Sequence, residues 1–181
     1  GGMNEVLADM AVIFDNPDYM TLAKSFTEVR ILQPLLKGED KLTGLHANTQ
    51  IPKIVGIARI AQLTGRADYL KAAQYFFDLV VHERTVVIGG NSVREHFHDK
   101  NDFSPMLNEV EGPETCNSYN MMKLALLLYL QTQELRYLDY YERTLLNHIL
   151  ASQHPEHGGL VYFTPMRPQH YRVYSKVDQS M

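Results

Sequence analysis

Apolar residues recur at helical spacing over most of the chain. A first apolar stripe ends at the Asp15-Asn16-Pro17 break, and a second stripe follows it. Spacings of three and four residues place such a stripe on one face of an α-helix. The N-terminal part therefore predicts two helices joined by a short turn, on the strength of these apolar positions: Val6, Met10, Ile13, Phe14, Tyr19, Leu22, Ala23, Phe26 and Val29.

The same reading predicts four more helices after a loop. The segment LQPLLKGEDKLTGL, residues 32–45, contains one proline and two glycines and predicts that loop. The helices are expected to start near Pro52, Ala67, Cys116 and Leu135 and to end near Gly65, Glu83, Tyr129 and Leu150. Residues 160–163, Leu-Val-Tyr-Phe, lie between two glycines and a proline and predict a short β segment.

A weak internal repeat runs through these helices. The segments PDYMTLAKSF, ADYLKAAQYF and LRYLDYYERT each follow a break and place Tyr19, Tyr69 or Tyr137 before a Met or Leu. Each would open the second helix of a hairpin, and repeated hairpins build solenoids or closed toroids because each needs neighbours to cover its apolar face. Uneven spacing favours the toroid. We therefore predict an all-α fold, an (α/α)6-barrel-like toroid made of hairpins with long loops.

Composition narrows the function classes. The 181 residues carry a net charge of -4, which suits one globular domain and gives no electrostatic reason to expect nucleic acid. The sequence shows no apolar run long enough for a membrane span and no secretory signal pattern at the N-terminus. Its single cysteine excludes an internal disulfide framework.

Candidate catalytic and metal-binding residues lie in one long connection between helical regions. The segment EGPETCNSYN places Glu114 two residues before Cys116, and IGGNSVREHFHDK holds Glu95, His96 and His98. Loops of this kind often carry function, so an enzyme is the leading interpretation. Simpler interpretations stay open: a small buried thiol, an acid at a helix N-terminus, a solvated loop charge, and an exposed histidine pair instead of a His-x-His metal site.

Five motifs, in this order, carry a family resemblance: GGMNEVLADM, GLHANTQIPKIVG, GGNSVREHF, EGPETCNSYNMMKL and DYYERTLLNHILASQ. Together they span nearly the whole chain and closely resemble the catalytic domain of bacterial glycoside hydrolase family 127 and its relative, family 146. The resemblance implies a retaining β-L-arabinofuranosidase built on an (α/α)6 barrel with appended β-sandwich domains. It also implies a carbohydrate substrate from plant-type glycans.

The resemblance assigns roles residue by residue. Glu95, in REHF, matches the general acid/base, which protonates the leaving oxygen and later activates water. Glu114 and Cys116, in ETC, match two ligands of a zinc ion, for which thiolate and carboxylate are suitable donors. Three further positions match residues that line the sugar subsite: His46, Glu142 and Tyr162. Without the resemblance, Glu142 would be an ordinary solvated residue of a helix surface.

The chain also departs from the family pattern. The remaining zinc ligands, including the cysteine nucleophile, belong in the family to a Cys-Cys motif beyond a segment such as HYRVYSKVDQSM, and the family has further barrel helices before GGMNE. We therefore expect residues 1–181 to be one partial catalytic domain, truncated at both ends and inactive alone.

Truncation would expose apolar edges, which we expect to favour homo-oligomers. The alternative function is a non-catalytic α-helical module that binds a glycan or peptide on a concave face. A coding sequence that continues into a Cys-Cys pair would favour the enzyme.

Overall fold

Eight α-helices account for most of residues 2–176, the part of the chain that this computed structural model describes. They are α1 (Met3–Ile13), α2 (Pro17–Ser25), α3 (Val29–Leu36), α4 (Ala47–Thr64), α5 (Ala67–Val81), α6 (Ser104–Asn108), α7 (Thr115–Thr132) and α8 (Arg136–Thr144). The predicted all-α class is confirmed. The expectation about sequence beyond Met181 lies outside the described residues.

The helices pair as hairpins, and α4 is central among them. The pairs α1–α2, α4–α5 and α7–α8 pack together, and α4 also packs against α1 and α7. Each of the three tyrosine segments opens the second helix of one pair, as the repeat predicts. The isoleucines of α4 are fully buried at helical spacing, at positions Ile51, Ile54, Ile57 and Ile60. None of the helices within residues 2–176 combines the length and apolar character needed to cross a membrane.

Two predicted helix boundaries are wrong, because the free energy gained by burying apolar side chains exceeds the cost of a proline inside the helix. The predicted loop 32–45 begins with helix α3, which contains Pro34 and buries Ile31, Leu32 and Leu35. Helix α4 begins at Ala47, ahead of Pro52. A proline inside a helix removes one backbone hydrogen bond, but each buried aliphatic side chain contributes about 1.5–3 kcal/mol, so several of them offset that cost. The predicted end of α4 is confirmed, since Gly65 adopts the left-handed conformation there with φ +69°.

The C-terminal part differs in detail from its prediction. The helical run of α8 reaches residue 150 as expected, but it continues as a π-helix over Leu145–Ile149 and a 3₁₀ turn over Leu150–Ser152. Residues 160–163 form isolated antiparallel bridges instead of a strand, with Leu160 opposite Gln153 and Phe163 opposite Glu114. The bridge between Phe163 and Glu114 brings residues 160–163 close to the start of α7.

Candidate active site

Three loop segments meet at the N-terminus of α7. Backbone hydrogen bonds of 2.8–3.0 Å join residues 44–47, which lead into α4, to residues 95–97. On the other side, the Thr164 amide donates to the Pro113 carbonyl at 2.8 Å. These short pairings bring together candidate residues that are far apart in sequence.

Glu95 lies at the tip of a strained two-residue turn. Val93 and His96 exchange two backbone hydrogen bonds of 2.9 Å, and the central residues Arg94 and Glu95 have φ of +46° and +67°. Positive φ at both central positions is the property of a type I′ turn, which favours Asn and Gly. A residue with a Cβ costs roughly 1–2 kcal/mol there, and such strain concentrates at functional sites. The chain therefore carries a glutamate where stability would favour glycine.

This strain gives a stability prediction for Glu95→Gly. We expect the free energy of unfolding to stay at the native value or rise by up to about 1 kcal/mol, because relief of the left-handed strain exceeds the extra entropy of an unfolded glycine. Urea unfolding followed by circular dichroism measures it. The control is Glu142→Gly on the exposed face of α8, which should cost about 1 kcal/mol. If Glu95→Gly and Glu142→Gly destabilised the protein equally, the backbone of Glu95 would not be strained.

The Glu95 carboxylate is accessible and has two polar neighbours. His46 is the residue before the first turn of α4, and its Nε2 lies 3.6 Å from Glu95 Oε2. The Tyr162 hydroxyl lies 3.5 Å from Glu95 Oε1. The Glu95 side chain remains 39% exposed, so a ligand can reach it. This arrangement suits a group that must meet a substrate oxygen.

Glu114 and Cys116 form an acid–thiol pair beside it, in which the acid is buried and the thiol is half-buried. Glu114 is the residue before α7 and only 2% exposed, and the Cys116 thiol donates a hydrogen bond to Glu114 Oε1. Glu114 Oε2 is buried without a hydrogen-bond partner in the structure. Burial raises the pKa of the Glu114 carboxyl. Burial, together with the adjacent Glu114 carboxylate, raises the pKa of the Cys116 thiol to about 12.

This pair fits two ligands of a zinc ion. A buried carboxylate oxygen without a partner is costly, and a cation would compensate it. Thiolate and carboxylate are both zinc ligands, and structural zinc sites use four. Within residues 2–176, His, Cys, Asp and Glu side chains form no group of three or more that could hold a metal. The described residues therefore offer two donors here, fewer than the four that a structural zinc site uses.

Tyr162 connects the acid–thiol pair to Glu95. Its hydroxyl pKa is raised, first by the negative charge of Glu114, then by burial and by Cys116 and Glu95. These three acidic groups thus surround one phenol. The structure brings together five of the six candidate residues of the predicted site: His46, Glu95, Glu114, Cys116 and Tyr162.

The sixth candidate, Glu142, makes no described contact with this cluster. It is exposed on α8. No hydrogen bond or ion pair described within residues 2–176 connects it to the other five. Its role as a sugar ligand remains a prediction based on its motif.

Two buried polar pairs support the site and were not singled out from the sequence. Asn117 Nδ2 donates to Ser92 Oγ at 2.6 Å, which ties the base of the Glu95 turn to the first turn of α7. Ser118 Oγ lies 2.7 Å from Nδ1 of His148. His148 belongs to the π-helix, a feature frequent at functional sites, and burial lowers its pKa to about 4. All four lie within the family motifs, which is the signal that could have identified them.

The prediction of an exposed histidine pair is correct for His96 and wrong for His98. His96 is exposed and its ring lies 5.2 Å from that of His46. His98 is only 7% exposed, and its ring packs edge-on against Phe103 at 4.6 Å.

The chain matches one protein-family model over its whole length. The sequence model described as "Beta-L-arabinofuranosidase, GH127 catalytic domain" matches residues 1–181. A search of curated proteins finds no match.

Solved structures share the fold. A GH127 beta-L-arabinofuranosidase from Geobacillus stearothermophilus T6 has TM-score 0.68 and 16% identity, covering 90% of this chain and 30% of that one. A GH127 beta-arabinofuranosidase has TM-score 0.75 and 21% identity, covering 94% and 28%. A protein described as a glycoside hydrolase has TM-score 0.70 and 16% identity, covering 97% and 32%. The chain thus spans about a third of their length, and the predicted α/α toroid fragment is confirmed.

Proposed function

The chain belongs to the GH127 β-L-arabinofuranosidase catalytic-domain family, and from that premise we propose that it supplies part of the active site of a retaining enzyme. Its substrate would be a β-L-arabinofuranoside of a plant-type glycan. The observation that carries the proposal is the convergence of Glu95 and the Glu114–Cys116 pair around the Tyr162 hydroxyl. Two functional groups of different chemistry then lie around one phenol hydroxyl.

Glu95 acts as the general acid/base in this proposal. Its exposed carboxyl donates a proton to the leaving glycosidic oxygen and later accepts one from the attacking water, as a retaining mechanism requires. His46 and Tyr162 flank the carboxyl at 3.6 and 3.5 Å and limit its orientation. They would also hydrogen-bond hydroxyls of the terminal sugar. Glu142 is proposed as a further sugar ligand on its motif alone.

Glu114 and Cys116 would hold zinc together with ligands outside the described residues. When bound, zinc lowers the pKa of a coordinated thiol far enough to deprotonate it. The attacking group is expected to come from a Cys-Cys motif beyond Met181, since the only cysteine of this chain serves as a ligand. We therefore propose that the 181-residue chain alone does not release arabinose.

Metal binding by the acid–thiol pair provides the test. Adding Co²⁺, a spectroscopic substitute for zinc, to the 181-residue chain is expected to produce a thiolate-to-metal charge-transfer band. Because Cys116 is the sole thiol, Cys116→Ser must abolish the band. Glu114→Gln should weaken the affinity at least about 10-fold. The band should strengthen as pH rises, because the ligand must lose its proton.

Glu156→Gln is the matched control, since Glu156 is an exposed glutamate in a turn. It should leave the Co²⁺ affinity unchanged. A band that survives Cys116→Ser, or equal effects of Glu114→Gln and Glu156→Gln on the Co²⁺ affinity, would refute the proposed zinc pair.

A further inference from the structure

A row of three buried polar side chains follows one face of α8 and the π-helix after it. Tyr140, Thr144 and His148 are spaced four residues apart, and each is at most 2% exposed. Side chains four residues apart lie on the same side of a helix. A hydrophobic residue at each of these positions would be buried at lower cost.

The glycine pair of the GGNSVREHF motif lies directly on this row. The Tyr140 hydroxyl donates a hydrogen bond to the Gly89 carbonyl at 2.9 Å. A Cβ atom on Gly89 would lie 2.0 Å from Thr144 Oγ1, and one on Gly90 would lie 2.9 Å from His148 Nδ1. Only residues without a side chain can approach so closely. The row therefore fixes the path of the segment that leads into the strained turn.

His148 is the member of the row that joins three parts of the chain. Its Nδ1 lies 2.7 Å from Ser118 Oγ, in the first turn of α7. The point where a Cβ on Gly90 would meet the His148 ring also lies 2.5 Å from Pro113 Cβ. Pro113 directly precedes Glu114. The ring thus packs where the segment before the turn, the segment before Glu114 and the start of α7 meet.

Stability alone does not explain a histidine at this position. Its Nε2 is buried and has no hydrogen-bond partner among residues 2–176. An apolar side chain of similar size would avoid the cost of that unpaired atom. The π-helix that carries His148 is a rare element that occurs frequently at functional sites. Like Glu95, His148 therefore occupies a position where stability would favour another residue.

We propose that His148 is a positioning residue, which fixes the separation between Glu95 and the Glu114–Cys116 pair. The inference rests on the proposed function, in which these groups act together. His148 is fully buried and acts only through the segments it contacts. Its hydrogen bond holds the first turn of α7, and its packing holds the two segments that lead to the glutamates. Such support matters because a displacement of about 1 Å between reacting groups can slow a reaction roughly 100-fold.

Amide chemical shifts of the metal-free 181-residue chain provide the first test. Ser118→Ala removes the hydrogen bond but keeps the His148 ring, so shifts far from residue 118 report movement and not a lost ring current. We expect such shifts at residues 93–96 as well as at residues 114–116. His148→Leu should shift the same amides. His148→Asn, whose amide can still reach Ser118, should return them towards their native values.

The Co²⁺ affinity of the same chain provides the second test. His148→Leu should weaken it about 10-fold, a usual effect of removing a residue that supports metal ligands, and His148→Asn should recover most of the loss. Tyr137→Phe is the matched control, because it removes buried hydrogen bonds to Gln74 and Arg136 at the other end of α8. It should lower stability, measured by urea unfolding, without changing the Co²⁺ affinity or the amides of residues 93–96.

The outcomes separate the inference from the proposed function. Native shifts at residues 93–96 in both Ser118→Ala and His148→Leu would overturn the inference alone, as would equal losses of Co²⁺ affinity in His148→Leu and Tyr137→Phe. Since Ser118→Ala removes a single oxygen atom, its shifts decide the matter even if His148→Leu unfolds. Equal effects of Glu114→Gln and Glu156→Gln on the affinity would instead count against the proposed function.

Discussion

Replacing Glu95 by glutamine in the full-length protein is expected to lower kcat for methyl β-L-arabinofuranoside by about 10²–10⁴-fold, the usual contribution of a general acid. Glutamine keeps the shape of the side chain but cannot donate the proton that a methoxide leaving group needs. The kcat/KM of a p-nitrophenyl glycoside, which reports only the step in which the leaving group departs, should be affected much less, because that group departs without protonation. Its kcat should still fall, since Glu95 also activates the water of the second step. Steady-state kinetics on both substrates, with circular dichroism to verify folding, measure the difference.

The difference between the effects of Glu95→Gln on the two substrates identifies Glu95 as the general acid. If Glu95 only held the turn in shape, Glu95→Gln would reduce both rates by the same factor. Glu156→Gln, an exposed glutamate outside the cluster, serves as the control and should leave both rates unchanged. A native rate for the methyl glycoside in Glu95→Gln would remove Glu95 from the reaction.

The sequence predicts local features of this fold well, and the reason is visible in the repeat. Tyr137 is fully buried at the start of α8, where its ring meets Phe77 of α5 at 4.8 Å. Tyr69 is likewise buried at the start of α5. A tyrosine followed by an apolar residue just after a break therefore marks the point where a second helix returns to the core. Such information is contained in a few consecutive residues.

Features that depend on distant residues are not predictable in this way. Glu95 comes close to Tyr162, which is 67 residues away in sequence, because the chain pairs Phe163 with Glu114. The left-handed conformation of Glu95 also contradicts its residue preference, since glutamate has no local reason to adopt φ +67°. The family motifs supplied the candidates, whereas their convergence required the fold.

Arg84 is the clearest example of a residue whose contacts cannot be predicted from its neighbours in sequence. An arginine at the end of a helix would ordinarily be predicted to be a surface charge. Arg84 is instead fully buried and hydrogen-bonded to a loop residue 44 positions earlier. Its Nη2 lies 2.8 Å from Asp40 Oδ2 and 3.2 Å from Thr43 Oγ1, and its Nε donates to the His98 carbonyl at 3.2 Å. One side chain thus joins the segment before His46 to the segment after Glu95.

Substituting Arg84 by alanine is therefore expected to lower the free energy of unfolding by about 3–5 kcal/mol. Removing one member of a buried ion pair leaves the Asp40 carboxylate, only 16% exposed, without its counter-charge and the His98 carbonyl without its donor. Urea unfolding followed by circular dichroism measures the change. Arg66→Ala, which breaks the exposed pair with Asp68, should cost less than about 1 kcal/mol.

The double change Arg84→Met with Asp40→Asn separates charge from packing. Because it removes both charges and keeps much of the buried volume, it should be less destabilising than Arg84→Ala alone. If the single and double variants lost the same stability, the loss would come from packing and not from an uncompensated carboxylate. If Arg84→Ala behaved like Arg66→Ala, the ion pair would not hold the two segments that bring His46 to Glu95, and the turn itself would have to fix that approach.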